Sequence, residues 1–444
     1  VSDRTSAREA VALVTGGGDF AELPAPQDIS APDGPLAWAG YGDQRRRARR
    51  VTGEAESVVC GTAWVGATRA VLISFEFGFL GGSLGEATGD RIEAAHTRAR
   101  EEGLPVVSLI ATGGSRMQEG MRALLQLQRV ARQSALTREA GLPQVAVVRD
   151  PTTGGGWATL GAGADVVLAL PDAQIGFAGS RVRPPDADPH AYTAQGQLTA
   201  GQIDAVVRRE ELGATVGRWL ALLTGGVRAD AAPPPGGLGD TPLPATGREA
   251  VRRARSAARP RAGAYLDAYF SHREEITGDR CGGTDPGTRC GFGHRAGRTY
   301  AYVAQCGTAT LPAGYRTAAR LIRLADRLGV PVLTLVDTPG AANDAEAERA
   351  GAGAAIADVF AAMATARVPL TTLLIGEGGS GGVLALSAPD NTWATKDSYF
   401  SVIAPELAAA ILKRAPEEAG TTADQLGLRP QDLLELGAIR GIVP

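Results

Sequence analysis

Four glycine clusters stand where the chain could offer bare main-chain N–H groups to a ligand. Gly113 and Gly114 follow the apolar run VVSLIAT, and Gly154, Gly155 and Gly156 follow QVAVVRDPTT. In the second half, Gly340 follows VLTLVDTP, and Gly378, Gly379, Gly381 and Gly382 follow LTTLLIGE around Ser380. Glycine has no Cβ to hold a ligand away from the backbone, and a helix beginning just beyond it adds partial positive charge. Donors preorganised in this way form an oxyanion hole, which suits an enolate or a tetrahedral intermediate; loss of one typically costs about 3 kcal/mol of barrier. The plainer reading is that the glycines permit tight turns and close helix–strand packing. Their abundance, 59 of 444 residues, is nearly twice the typical ~7%, and no collagen-like period accounts for it.

The elements that must position these clusters are repeated. Gly103-Leu-Pro105 leads through VVSLIATGG to Gly114, and Gly329-Val-Pro331 leads through VLTLVDTPG to Gly340, 226 positions later. The same displacement carries Pro143 to Pro369, and Gly155 and Gly156 to Gly381 and Gly382, without a gap. QLTAGQIDAVV and LLELGAIRGIV match again, about ten residues further apart. Each copy alternates helix, buried strand and glycine turn. Ala318, Leu321, Ile322, Ala325 and Leu328 have helical spacing and stop at Gly329, VLTLV reads as a fully buried strand, 351–366 as a helix and 369–375 as a strand. Alternation of this kind predicts layered α/β architecture. The stretch 225–247, rich in Pro, Gly and Ala, reads as a linker between domains at 1–224 and 248–444.

Competing chemistries are open to the same residues. Gly376-Glu-Gly378-Gly-Ser-Gly381 has dinucleotide-site spacing, without a clear ribose-binding acid after it. Gly81-Gly-Ser83-Leu-Gly85 and Gly378-Gly-Ser380-Gly-Gly382 both match the nucleophile elbow G-x-S-x-G. No His follows Ser380, whereas all four follow Ser83, so a serine hydrolase using Ser83 is the alternative from another class. Cys281, Cys290, His294 and Cys306 fit no familiar zinc spacing. His96 falls on the apolar helix face, matching Ile322, and reads as a core or interface histidine. Arg45, Arg46, Arg47, Arg49 and Arg50, and Arg252, Arg253 and Arg255, read as solvated helix faces or as contacts for the phosphates of a nucleotide-bearing substrate.

Composition narrows the field. A net charge of -3 from 45 basic and 48 acidic residues gives no whole-chain attraction to nucleic acid or an anionic membrane. No run reaches the roughly 18 apolar residues of a membrane span, the N-terminal stretch lacks a signal-peptide pattern, and four cysteines are too few for a disulfide framework. A cytoplasmic protein is expected. Only two lysines occur, Lys396 and Lys413, which disfavours lysine chemistry.

FLGGSLGEATGDRI, GGSRMQEGM, VRDPTTGGG and IGFAGSRV closely resemble the β subunit of bacterial acetyl-CoA carboxylase carboxyltransferase, over about 5–225. EITGDR, LPAGYRTAARLIRLADRLGVPVLTLVDTPGA, IGEGGSGGVLAL and YFSVIAPE resemble its α subunit, from about 248 onward. The resemblance implies two crotonase-like domains of the ClpP/crotonase superfamily in tandem, β-like then α-like. It implies transfer of a carboxyl group from carboxybiotin, on a separate biotin carboxyl carrier protein, to the α-carbon of an acyl-CoA. Acetyl-CoA is the first expectation, propionyl-CoA or a specialised acyl-CoA being alternatives; fatty acid or polyketide biosynthesis is the expected setting. By the same resemblance Gly155 and Gly156, with Gly113, Gly114, Gly81 and Gly82, serve the thioester. Gly382 and the Val383 amide, with Gly340, Ala341 and Gly381, serve biotin, whose own nitrogen takes the α-proton. A biotin carboxylase partner and a homodimer or larger assembly, with the site shared between protomers, follow from the family pattern.

Three departures qualify the resemblance. The chain begins after the place where the family's β subunit carries a four-cysteine zinc ribbon, so no structural metal is expected. The segment 305–314 is shorter than in the α subunit, and Trp157 stands beside the first hole where a smaller residue is expected. A decarboxylase component running the transfer in reverse, and a lapsed homologue with Trp157 blocking the thioester, are the remaining alternatives.

Overall fold

In a computed structural model, residues 4–26, 31–225 and 230–444 are described. The chain divides into two compact units, Val1–Thr224 with Arg280–Gly282, and Gly225–Asp279 with Gly283–Pro444. In the first unit the strands are β1 (Phe20–Glu22), β2 (Val58–Val65), β3 (Thr68–Phe75), β4 (Val106–Thr112), β5 (Gln144–Thr153), β6 (Val166–Ala169), β7 (Ile175–Gly176) and β8 (Ala205–Val206). They form one sheet in the order β1-β2-β3-β4-β5-β6-β8, with β7 also pairing β5. In the second unit β9 (His272–Ile276), β10 (Thr288–Arg295), β11 (Arg298–Gln305), β12 (Val332–Thr338), β13 (Leu370–Gly379), β14 (Thr392–Ala394), β15 (Tyr399–Ser401) and β16 (Gly441–Ile442) form the order β16-β14-β13-β12-β11-β10-β9, with β15 pairing β13. Each sheet has an antiparallel hairpin feeding a parallel run: β2/β3 then β4, β5 and β6, and β10/β11 then β12, β13 and β14.

The sequence dictates this directly. β4 and β12 are buried along their whole length, as central parallel strands covered on both faces must be. The helix Pro312–Leu328 ends at Gly329 with φ 72°, the left-handed cap expected from the sequence. Its counterpart Glu86–Glu102 ends at Gly103 with φ 65°. The two later matches also occupy equivalent places: helix Ala194–Thr199 leads to the edge strand β8, and Pro430–Glu435 leads to β16.

The stretch 225–247 differs from a simple tether. Residues 226–229 lie outside the described residues, but Ala232 is buried in the second unit's core, its carbonyl accepting from Thr371 Oγ1 at 2.8 Å. Pro233 C=O accepts from the Tyr269 hydroxyl at 2.7 Å, and the Gly237 N–H donates to Pro444 C=O at 2.9 Å. Proline and small residues allow this segment to lie against a sheet without the helix or strand that its composition forbids.

Candidate active site

The two strand ends closest to the repeat's glycines share an irregularity. The register between β4 and β5 shifts between Ile110 and Thr112, and that between β12 and β13 shifts between Val336 and Thr338. Beyond the shift, Thr112 Oγ1 accepts from the Gly114 N–H at 3.1 Å, and Thr338 Oγ1 accepts from the Gly340 N–H at 3.1 Å. Gly114 and Gly340 take φ 107° and 139°, open only to glycine at low cost. A short parallel bridge then fixes the next residue. Gly114 C=O accepts from Leu84 N–H and Arg116 N–H donates to Leu84 C=O, both at 2.9 Å; in the second unit Gly340 C=O accepts from Thr310 N–H at 3.0 Å and Ala342 N–H donates to Thr310 C=O at 2.9 Å. In such a bridge the intervening residue turns its own N–H to the opposite side. Those residues are Ser115 and Ala341.

The second turn of each unit packs onto the first. A Cβ placed on Gly154 would lie 3.2 Å from Gly114 Cα, and one on Gly382 would lie 3.0 Å from Ala341 N. Gly154 and Ser380, the equivalent residues, both have φ 65°. They open helices over Gly154–Gly156, continued by a π-turn to Gly161, and over Ser380–Leu384. These helices are a turn or two long, so the macrodipole expected from the sequence gives way to individual N–H groups. The first-turn donors lack a partner within the helix. Gly154 N–H is engaged by Phe177 C=O at 3.1 Å, leaving Gly155 and Gly156 in one unit and Gly381 and Gly382 in the other.

Several donors expected from the sequence are thereby excluded. Gly113 N–H is engaged by Gly81 C=O at 2.9 Å and Gly82 N–H by Phe79 C=O at 3.0 Å. Gly114 and Gly340 donate to their own threonines. Val383 is the fourth residue of its helix, where the first intrahelical bond forms, and is fully buried. Its place in the repeat is that of Trp157; the glycine pair matching Gly155 and Gly156 is Gly381 and Gly382. Gly82, Gly113, Gly114 and Gly340 therefore shape the turns, and Gly81 contributes its carbonyl to the first of them. Ser115 is the donor that motif reading missed, and the 226-residue register with Ala341 is the signal that finds it.

The surroundings of the two pockets differ. A Cβ on Gly155 would run into Leu127, and one on Gly156 into Thr112 Cγ2, with Leu84 3.6 Å away. Gly381 is exposed with nothing within 4 Å of a Cβ, so the second turn opens onto free space. Behind it, Gln305 Nε2 donates to Thr310 Oγ1 at 3.0 Å, and Tyr315 Oη donates to Gly382 C=O at 3.2 Å. Burial pushes the Tyr315 hydroxyl up to about 12 despite a hydrogen bond from Thr310, so it remains a donor at neutral pH. Trp157 does not fill the first pocket: its side chain is buried in the core and packs over Gly161.

Each first turn is braced by a buried ionic cluster of opposite polarity. Arg116 bonds Glu56 (3.0 Å), Glu119 (3.4 Å) and Ser83 C=O (2.7 Å). Burial alone would raise the Glu56 carboxyl, but the Arg116 guanidinium overrides this and holds it below the ordinary range. In the second unit Asp337 bonds Arg259 and Arg261, the latter at 3.1 Å, and accepts from Glu377 N–H at 3.1 Å. Arg116 also settles the hydrolase alternative. Its Nε donates to Ser83 Oγ at 3.1 Å, so this hydroxyl faces a permanent cation instead of an imidazole base. His96 is buried against Thr137 Oγ1 at 3.0 Å, and burial followed by the Arg100 charge lowers it to about 4. Among the described residues no group of three or more His, Cys, Asp or Glu side chains is placed to hold a metal ion, and no helix is long and apolar enough to cross a membrane. Of the arginine runs, Arg45 is buried over the Tyr41 ring, whereas Arg46, Arg47, Arg49 and Arg50 are exposed.

Known proteins share this plan. Residues 38–206 match the family described as carboxyl transferase domain, and 245–444 that described as acetyl co-enzyme A carboxylase carboxyltransferase-like. The acetyl-coenzyme A carboxylase carboxyl transferase subunits beta/alpha of Salinispora arenicola are 39% identical over 474 residues, covering 99% of this chain and 82% of the relative. Those of Saccharopolyspora erythraea are 38% identical over 422 residues, covering 91% and 74%. A probable biotin-dependent acyl-coenzyme A carboxylase beta3 subunit of Mycobacterium bovis is 33% identical, covering 91% and 83%. In fold, the transcarboxylase 12S structure with methylmalonyl-coenzyme A bound superposes with a TM-score of 0.80 at 19% identity, covering 99% of this chain and 87% of that one. A single-chain, multi-domain long-chain acyl-CoA carboxylase gives 0.77 at 22%, covering 99% and 46%.

Proposed function

Because the chain belongs to the carboxyltransferase family of biotin-dependent acyl-CoA carboxylases, as a fused beta/alpha member with two crotonase-like units, we propose that each unit stabilises one negative oxygen of the transfer with main-chain amides. In the first unit Ser115, Gly155 and Gly156 face the acyl-CoA thioester; in the second Ala341, Gly381 and Gly382 face biotin. The observation that supports this is the repetition of one donor arrangement, from bulge to threonine to the φ 65° turn, in both units.

The chemistry follows from the donors. Removing the α-proton of a thioester places charge on its carbonyl oxygen, and amides already turned toward that oxygen lower the barrier without reorganising. The first pocket's glycines are pinned by Leu127, Thr112 and Leu84, which exclude water and hold the amides still. Biotin, when bound, supplies the carboxyl group and accepts the α-proton, which fits a site built from amides without an acid–base pair. The open space at Gly381 is the cradle for its ureido head.

The biotin arrives on a separate carrier protein loaded by a separate biotin carboxylase, and acetyl-CoA or propionyl-CoA is the first acyl substrate to test. A homodimer completes the site. Apolar side chains are exposed beside both pockets: Met117 on the turn Met117–Glu119, Met121, Leu124 and Leu125 on the helix that carries Leu127, and Leu384, Val402, Leu407 and Ile411 around the second. A patch of this kind is characteristic of an interface. The test is malonyl-CoA-dependent carboxylation of free biotin, with acetyl-, propionyl- and longer acyl-CoAs as acceptors in the reverse direction. Turnover with at least one CoA ester is expected; none with any would sink the reading in favour of a lapsed homologue.

A further inference from the structure

The two G-x-S-x-G matches part company in the structure. Ser83 has φ -73° and its hydroxyl is held by Arg116. Ser380 has φ 65°, sits at a strand-to-helix turn between β13 and Ser380–Leu384, and is exposed. That is the backbone of a nucleophile elbow. A left-handed conformation is costly for any residue with a Cβ, and the equivalent position of the first unit, at the same φ of 65°, is Gly154. The second unit therefore retains a side chain where the first shows that none is needed for the turn.

Among the described residues of its own unit, no histidine stands beside this serine to make it a nucleophile. His272 and His294 stack on each other across β9 and β10, and β10 is separated from β13 by β11 and β12, roughly 14 Å at the usual strand spacing. The four His residues include only these two in the second unit, His96 and His190 belonging to the first. What remains is a neutral hydroxyl, adjacent in sequence to the Gly381 and Gly382 amides and exposed like Gly381.

We propose that Ser380 is a further catalytic residue, its hydroxyl donating a hydrogen bond to the carboxylate being transferred while the Gly381 and Gly382 amides face the ureido oxygen. This rests on the assignment of the second pocket to biotin. A hydrogen bond to an ionised group supports an effect of about tenfold to a hundredfold on turnover.

The test uses the full chain in the malonyl-CoA-dependent carboxylation of free biotin. Ser380→Ala and Ser380→Gly are both expected to lower kcat by about tenfold or more, with the KM for malonyl-CoA unchanged. Ser380→Gly, freed of the left-handed strain, should keep or raise the melting midpoint. Wild-type turnover by either variant overturns the proposal, as does a loss of activity that tracks a lowered midpoint in both. Gly381→Val in the same assay separates the two levels of the argument. If it is inactive while the Ser380 variants are fully active, the pocket stands and the role of Ser380 falls; if it is active, the pocket assignment falls and takes Ser380 with it.

Discussion

The two pockets use one backbone with opposite surroundings. The first is closed, its glycines backed by Leu127, Thr112 and Leu84, and its turn is braced by an arginine between two glutamates. The second is open at Gly381, backed by the Tyr315 hydroxyl, and braced by an aspartate between two arginines. The amides can thus be kept while everything that selects a substrate diverges. A thioester on a flexible acyl chain benefits from a shut, apolar enclosure, whereas a tethered biotin head carrying an anionic carboxylate benefits from an open mouth and a positive surplus behind it.

Blocking each pocket should break the comparison most sharply. Gly381→Val meets no atom and carries no strained φ, so it should fold normally yet lose two orders of magnitude or more in transfer rate. Gly156→Val collides with Thr112 and should lose both activity and stability; circular dichroism melts beside the transfer assay distinguish the two. Equal stability in the two variants would contradict the contrast between a closed and an open pocket.

The braces come next. Arg116→Ala strands two buried carboxylates and should cost about 3–5 kcal/mol in urea unfolding. Asp337→Ala should cost less, because it strands one buried charge, Arg259, while Arg261 is 37% exposed and can turn to water. Reversal of that order would show that the clusters are not counterparts.

Acid should separate the units more gently. His96 stays neutral in the fold down to about 4, against an ordinary 6.5, while its counterpart Ile322 cannot titrate. The unfolded chain takes up this proton first, so stability is lost as pH falls from 6.5 toward 4, by at most about 3 kcal/mol. His96→Gln should flatten the difference between urea midpoints at pH 7 and pH 5. The smallest effect expected is that of Tyr315→Phe, which removes one hydrogen bond worth about 1 kcal/mol. Its kcat should drop severalfold in the biotin reaction with the KM for malonyl-CoA unchanged, as the equivalent residue of the first unit is Gly89.

Much of this was legible in the sequence, for identifiable reasons. Buried parallel strands announce themselves as unbroken apolar runs, as β4 and β12 do, and Gly329 marks a helix end by chemistry alone. The glycine clusters mark the strand ends where the two copies share their turn geometry. Which amide of each cluster is unengaged was not legible, since it depends on Thr112 and Thr338 capturing the glycine two residues on and on a bridge to Leu84 or Thr310, segments about 30 residues away. The resemblance points to the Val383 amide, whereas its position as the fourth residue of Ser380–Leu384, where a helix makes its first bond, is visible only in the structure. The 225–247 segment looked like a tether because its composition forbids regular structure without forbidding close packing.

The shifted register at the ends of β4 and β12 also bears on how these segments can change over evolutionary time. Apart from Thr112 and Thr338, apolar side chains along the strands could be exchanged for others of similar size, because the amides are aimed mainly by where the ladder slips. A single deletion upstream would turn Ser115 or Ala341 to the opposite face of its strand. Such segments are expected to tolerate substitution and resist gain or loss of length, and from Gly103 to Gly156 and from Gly329 to Gly382 the two copies have drifted apart in composition while keeping an identical count.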